Sequence, residues 1–162
     1  MINFEAALAA LADAGVQFVI VGGLAGTAHG SALLTKDLDI CYERTADNHK
    51  RLAALLQKIH ARLRDAPGSL PFVLDERALS QGMNFTLQTD LGDIDLLGEL
   101  SGGGRFSELM RDAMPMLLYG KTFQVASLDA LIRSKRAAGR PKDMNALPEL
   151  EALRDLTRRR QP

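Results

Sequence analysis

The chain has 162 residues, 46% of them apolar, and its 20 Lys and Arg balance its 20 Asp and Glu. A chain of this size buries roughly 70% of its unfolded surface as one domain with no staple, and zero net charge excludes a global basic field of the kind that marks a nucleic-acid or membrane-surface binder. One cysteine, Cys41, excludes a disulfide framework or a cysteine-based zinc cluster.

The opening residues lack a basic leader and carry Glu5 and Asp13 within the apolar run, against a signal peptide. The longest unbroken apolar run is far short of a membrane span. The expectation is therefore a cytoplasmic single domain over 1–162, with no membrane partner. A helix is predicted over 3–14, with Asn3 as N-cap, Phe4, Leu8 and Leu11 on one stripe and Gly15 as the stop. "VQFVIV" reads as a central strand that breaks at Gly22-Gly23, and "LAGTAHG" as a short helix. In "KDLDICYE" the alternation is strict: Asp37, Asp39, Cys41 and Glu43 share one face, and Leu38, Ile40 and Tyr42 the other.

Leu52, Leu55, Leu56, Ile59 and Leu63 repeat at helical spacing after Thr45, and "APGSLP" closes that helix. "FVLDE", "MNFTLQTD" and "GDIDLLGE" read as strands, the last two as a hairpin across Leu91-Gly92. A weak helix is predicted near 106–112, a strand at "KTFQVA", and a helix from Ser127 as cap to Gly139 as stop, with Leu128, Leu131 and Ile132 inward. A last helix from about Pro148 to Arg158 carries Leu150, Leu153 and Leu156, and the terminal arginines read as a solubilising tail.

Aspartates two apart on a strand project from one face, and their repulsion is relieved when a cation sits between them. Hard oxygen ligands with few nitrogen or sulfur neighbours suit Mg²⁺ or Mn²⁺, and Mg²⁺ usually completes its shell with water and substrate phosphate. "GDIDLLGE" repeats the design, with Asp93 and Asp95 on one face, so a neighbouring position in a sheet would bring a third carboxylate to the cluster. The alternation by itself does not choose between Asp93 and Asp95. Gly22 and Gly23, between a strand and a helix, let backbone N–H groups approach a phosphate closely. Lys135, Arg136, Arg140 and Lys142 gather at a helix end; Lys135, four residues from Leu131 and seven from Leu128, faces inward and is the best of the four for a triphosphate or an RNA acceptor.

Bland readings stand beside these. Cys41 is expected as a small buried hydrophobe, His29, His49 and His60 lack metal-ligand spacing, and "SGGGR" at 101–105 is by default a flexible connector, although Arg105 there could reach a phosphate.

Gly22-Gly23, the Thr35-Lys36-Asp37-Leu38-Asp39-Ile40 run, Gly92-Asp93-Ile94-Asp95-Leu96-Leu97 and "SLDALIRSKRAAGRPKD" at 127–143 together resemble the DNA polymerase beta-like nucleotidyltransferase superfamily. The closest likeness is to its small bacterial members and to abortive-infection toxins. The resemblance implies an α+β nucleotidyltransferase fold, a mixed β-sheet flanked by helices, and metal-dependent transfer of a nucleoside monophosphate from NTP to an acceptor hydroxyl on RNA, protein or a small molecule. It implies Asp37, Asp39 and Asp95 as catalytic metal ligands for Mg²⁺ or Mn²⁺, and Gly22, Gly23 and Thr35, with Lys135, as the nucleotide-binding set. It further implies a toxin–antitoxin setting, with a tRNA end as acceptor and an antitoxin partner. The sequence departs from the family at Leu33, where relatives often carry an arginine two residues before the threonine. That departure motivates the alternative of a nucleotide-binding or partner-binding module with the same fold and no turnover.

Overall fold

Residues 1–67 and 73–162 are described by the computed structural model. The elements run α1 (Phe4–Asp13), β1 (Phe18–Val21), α2 (Gly22–Ala28), β2 (Leu38–Tyr42), α3 (Ala46–Lys58), β3 (Arg62–Leu63), α4 (Glu76–Gln81), β4 (Asn84–Thr89) and β5 (Gly92–Leu97). They continue with β6 (Glu99–Leu100), β7 (Gly104–Arg105), α5 (Phe106–Leu109), β8 (Met114–Leu118), β9 (Lys121–Val125), α6 (Leu128–Ala138) and α7 (Pro141–Arg160). Seven strands form one sheet in the order β3-β4-β5-β2-β1-β9-β8, while β6 and β7 make a separate ribbon. The sheet is mixed, because β2 runs parallel to β5 and β1 parallel to β9, and the remaining neighbours are antiparallel.

β1 and β2 are interior strands, which explains why "FVIV" is wholly apolar and why Val19, Ile20 and Val21 are fully buried. On β2, Leu38, Ile40 and Tyr42 point into the core. There α3 covers them, with the His49 ring 6.0 Å from that of Tyr42. The opposite side of β2, bearing Asp39, is roofed by α6 through Leu131 and Lys135. Local rules set the element ends: Asn3, Thr45 and Ser127 each accept a backbone N–H from the first turn of α1, α3 and α6, and Gly139 closes α6 at φ +64°.

Several expectations are corrected. Leu63 is not on the long helix; His60 takes φ +51° and ends α3, and Leu63 pairs with Leu87 on the sheet edge. Its spacing matched the helical stripe by coincidence, since a buried edge strand also needs an apolar side chain. "FVLDE" is not a strand over its described residues: Val73–Asp75 is irregular, and Asp75 caps α4 by accepting from Ala78 N at 2.8 Å. Phe72 and most of "APGSLP" lie outside the described residues.

The last helix starts at Pro141 rather than Pro148. Asp143 reaches back to Arg140 N, Pro141 occupies the first turn, and Pro148 lies inside the helix. The backbone bond that Pro148 forgoes is offset by Ala146, Leu147 and Leu150, all buried beside it, whereas Leu156 is 48% exposed and outside the core. The strand β8 is absent from the sequence reading because Pro115 argues against a strand; as an edge it tolerates one.

Candidate active site

The sheet brings the two acidic motifs together. β2 and β5 are parallel neighbours with Asp39 opposite Asp95, so both side chains leave the same face, and Asp93 stands one alternation further along toward Asp37. Asp39 is in the least comfortable position. Burial, then the nearby charges of Asp95 and Asp37, push its carboxyl up to about 7. Asp95 is also raised, by burial above all, against the opposing pull of Arg64.

Arg64 is the site residue that sequence reasoning missed. Its Nη2 lies 2.9 Å from Asp95 Oδ1, its Nε 3.3 Å from Asp93 Oδ2 and its Nη1 3.9 Å from Asp37 Oδ2. Nothing periodic in "ARLRD" marks it; the only available signal was that four carboxylates on one face require a cation nearby. With the guanidinium spanning these carboxylates, no group of three His, Cys, Asp or Glu among the described residues is arranged to hold a metal ion as the side chains now stand. The donor chemistry nevertheless fits a hard divalent cation: Asp37, Asp39, Asp93 and Asp95 are all oxygen ligands, a single guanidinium faces them, and Asp39 makes no ion pair among the described residues.

The glycine pair is explained by packing. Gly22 opens α2 at φ +65°, and a Cβ there would lie 2.0 Å from Asp39 Oδ2; at Gly23 a Cβ would lie 2.5 Å from Thr35 Oγ1. Thr35 Oγ1 in turn donates to the Asp37 carbonyl at 3.1 Å. The two glycines thus let Asp39 and Thr35 rest directly on the backbone.

Lys135 does face inward. Its Nζ is 3.1 Å from Asp143 Oδ1, while Arg140 Nε is 2.6 Å from Asp143 Oδ2. Asp143 is fully buried. Burial would raise its carboxyl, but hydrogen bonds from Arg140 and Lys135 outweigh this and hold it below its ordinary value. Arg136 turns away to Glu151 at 2.6 Å.

A cleft of about 500 Å³ lies over Gly22, Gly23, Asp37, Asp39, Lys135 and Lys142, with Leu33, half exposed, on its wall. A recess of about 190 Å³ between Asp39, Asp95, Lys135 and Arg140 adjoins it. A larger groove of about 870 Å³ between α1 and α3 has no comparable chemistry, being lined mostly by alanines and surface charges.

The bland expectation holds for Cys41 and His29, whereas the flexible connector expected at 101–105 is corrected to a turn and strand of an antiparallel ribbon. Cys41 is buried and its thiol is pushed up to about 12 by burial, with Glu108 and Glu99 adding to the effect, so it is inert at neutral pH. His29 Nε2 lies 2.8 Å from the Ala126 carbonyl, a structural contact. "SGGGR" forms part of the β6–β7 ribbon, where Arg105 pairs with Glu99 at 3.7 Å.

No protein-family model matches the chain, and no curated protein does. Solved structures do. The chain is similar to the antibiotic-resistance factor ANT(2'')-Ia, at 16% identity and TM-score 0.56 over 94% of this chain and 88% of that one. The crystal structure of ANT(2'')-Ia in complex with adenylyl-2''-tobramycin gives 17% identity and TM-score 0.55, covering 94% and 93% of the two chains. An antigenic nucleotidyltransferase-like protein from Paracoccidioides brasiliensis is similar at 11% identity and TM-score 0.55, covering 94% of this chain and 73% of that chain. The chain thus has the nucleotidyltransferase fold, a mixed sheet flanked by helices.

Proposed function

We propose that the chain is a nucleotidyltransferase that moves a nucleoside monophosphate from an NTP to an acceptor hydroxyl, with release of pyrophosphate. The observation that carries this reading is the placement of Asp39 opposite Asp95 across parallel strands, with Asp37 on the same face, at the floor of a cleft whose wall supplies Lys135 and Lys142. Asp37, Asp39 and Asp95 would hold Mg²⁺ or Mn²⁺, which when bound would neutralise triphosphate charge and make the acceptor hydroxyl more acidic. The protein's own contribution is positioning. The carboxylates stand on paired strands that cannot drift apart, and the triphosphate would lie over Gly22, Gly23 and Thr35. Lys135 is held by buried Asp143 where its ammonium can balance phosphate charge.

The fold shared with ANT(2'')-Ia, whose structure holds an adenylylated tobramycin, supports a small polyhydroxylated molecule as one acceptor class; a tRNA end or a protein hydroxyl, with an antitoxin partner, belongs to the same proposal. The alternative, a nucleotide-binding module without turnover, is favoured by Leu33 on the cleft wall, where an arginine would have added a cation.

The test incubates the protein with α-labelled NTPs, Mg²⁺ and acceptors of each class, beside Asp37→Ala and Asp39→Ala. Each substitution should lower labelling by at least about 100-fold, as loss of a preorganised charged group does, with thermal stability kept. Equal labelling by all three proteins would refute the site. Mg²⁺-dependent NTP binding with no transfer to any acceptor would favour the alternative.

A further inference from the structure

Arg64 is held more firmly than a surface arginine needs to be. Its backbone N–H donates to the Thr86 carbonyl at 2.9 Å as the chain leaves β3, and Nη2 is shared between the Leu87 carbonyl at 2.8 Å and Asp95 Oδ1 at 2.9 Å. Only 21% of the side chain is exposed, and buried Nε looks toward Asp93 Oδ2 at 3.3 Å without a hydrogen bond. A residue anchored to one strand carbonyl by its backbone and to another by its guanidinium, with that guanidinium facing three carboxylates, is part of the site's construction. Its rigid planar fork suits the task, since five N–H donors spread over three nitrogens reach carboxylates set along two strands more widely than the compact point charge of an ammonium.

Two of those carboxylates, Asp95 and Asp37, are the ones that the proposed function gives to the divalent cation, and on that reading the present inference rests. We propose that Arg64 is a positioning residue that holds Asp95 and Asp37 together in the cation-free protein, and that a divalent cation binds by taking these carboxylates from the guanidinium. One guanidinium faces four carboxylates, so the face stays negative and still attracts a cation. Asp39 makes no ion pair among the described residues and is the ligand that Arg64 does not hold. Metal affinity is then set by the strength of the Arg64 contacts as well as by the carboxylates themselves.

The experiment titrates Mn²⁺ into the full chain without nucleotide, by calorimetry and by loss of the free Mn²⁺ paramagnetic signal, for wild type, Arg64→Met, Arg64→Lys and Asp39→Asn. Arg64→Met should bind Mn²⁺ at least about tenfold tighter, the size of one competing charge-assisted contact removed. Arg64→Lys should fall between it and wild type. The cation-free midpoint of thermal unfolding should drop in Arg64→Met and recover at saturating Mn²⁺, whereas an arginine that merely braces the fold would leave a deficit in both states and no gain in affinity. Unchanged or weaker Mn²⁺ binding in Arg64→Met overturns the proposal; should that variant not fold, unchanged binding in Arg64→Lys overturns it equally. Failure of the underlying metal reading is distinguishable. It appears as wild-type Mn²⁺ binding that is absent or insensitive to Asp39→Asn, and it takes this inference down with it.

Discussion

Gly22→Ala probes the closest approach in the site. The new Cβ would stand 2.0 Å from Asp39 Oδ2, 2.7 Å from its Cγ and 2.8 Å from its Cβ. Ordinary van der Waals contact begins at 3.4 Å, so the carboxylate oxygen must retreat by about 1.4 Å. Rotating the side chain does not suffice, because Asp39 Cβ is itself too close and belongs to an interior strand paired on both sides. The positive φ of Gly22 adds about 1 kcal/mol of strain for any L side chain, and forced overpacking typically adds 1–3 kcal/mol. The expected destabilisation is therefore about 2–4 kcal/mol, which lowers the unfolding midpoint of a chain this long by roughly 5–15 °C.

The assay is thermal unfolding by circular dichroism in chelator, with Gly26→Ala as the internal comparison. Gly26 lies in the same short helix, but a Cβ there meets nothing closer than Ser31 Cβ at 3.6 Å and its φ is ordinary. It should be neutral or stabilising by up to about 1 kcal/mol, because alanine outperforms glycine within a helix. A Gly22→Ala protein that melts within about 1 °C of wild type, or a Gly26→Ala protein equally damaged, would refute the packing argument for the glycine pair.

Asp39 also makes a prediction in pH. Its folded carboxyl titrates near 7 against an ordinary 3.8, so between those values the native state holds a proton that the unfolded chain has released. Stability from this group is therefore present at acid pH, falls as pH rises toward 7 and levels off above it, a loss of a few kcal/mol at most. Urea unfolding at pH 5 and pH 8 in chelator should show the decline in wild type, and Asp39→Asn should flatten it and be the more stable protein at pH 8; parallel behaviour of the two would count against the desolvation of Asp39 within the carboxylate cluster. Asn48 is 1% exposed, donates through Nδ2 to the Gln17 and Glu43 carbonyls at 3.0 and 2.7 Å, and accepts from Gln17 N at 2.8 Å. Asn48→Ala strands the Gln17 N–H and the Glu43 carbonyl, while the Gln17 carbonyl keeps its bond from Glu43 N, and its denaturant midpoint should correspond to a loss of about 2–4 kcal/mol at unchanged slope; a loss below about 1 kcal/mol would mean that water replaces the amide.

Legibility followed the range of the interaction. The β4–β5 hairpin was readable across Leu91-Gly92 because both strands and the turn lie within one short stretch, and α6 because Ser127 and Gly139 mark its ends within its own residues. Errors arose where distant packing overrode a local signal. Pro148 stays helical because its neighbours are buried, Pro115 stays in a strand because that strand is an edge, and Leu63 leaves the helical stripe because the chain turns at His60.

The same division holds in the site. The two-residue period by itself put Asp37 with Asp39, and Asp93 with Asp95, on common faces, since alternation is a property of any strand. Only the parallel pairing of β2 with β5 set Asp39 opposite Asp95, and only the path from β3 carried Arg64 onto the carboxylates. Those partners are far apart in the chain, and no local rule of spacing or capping relates them. The charges could be read in sequence, but their distances, and with them the raised carboxyl of Asp39, are set by the sheet.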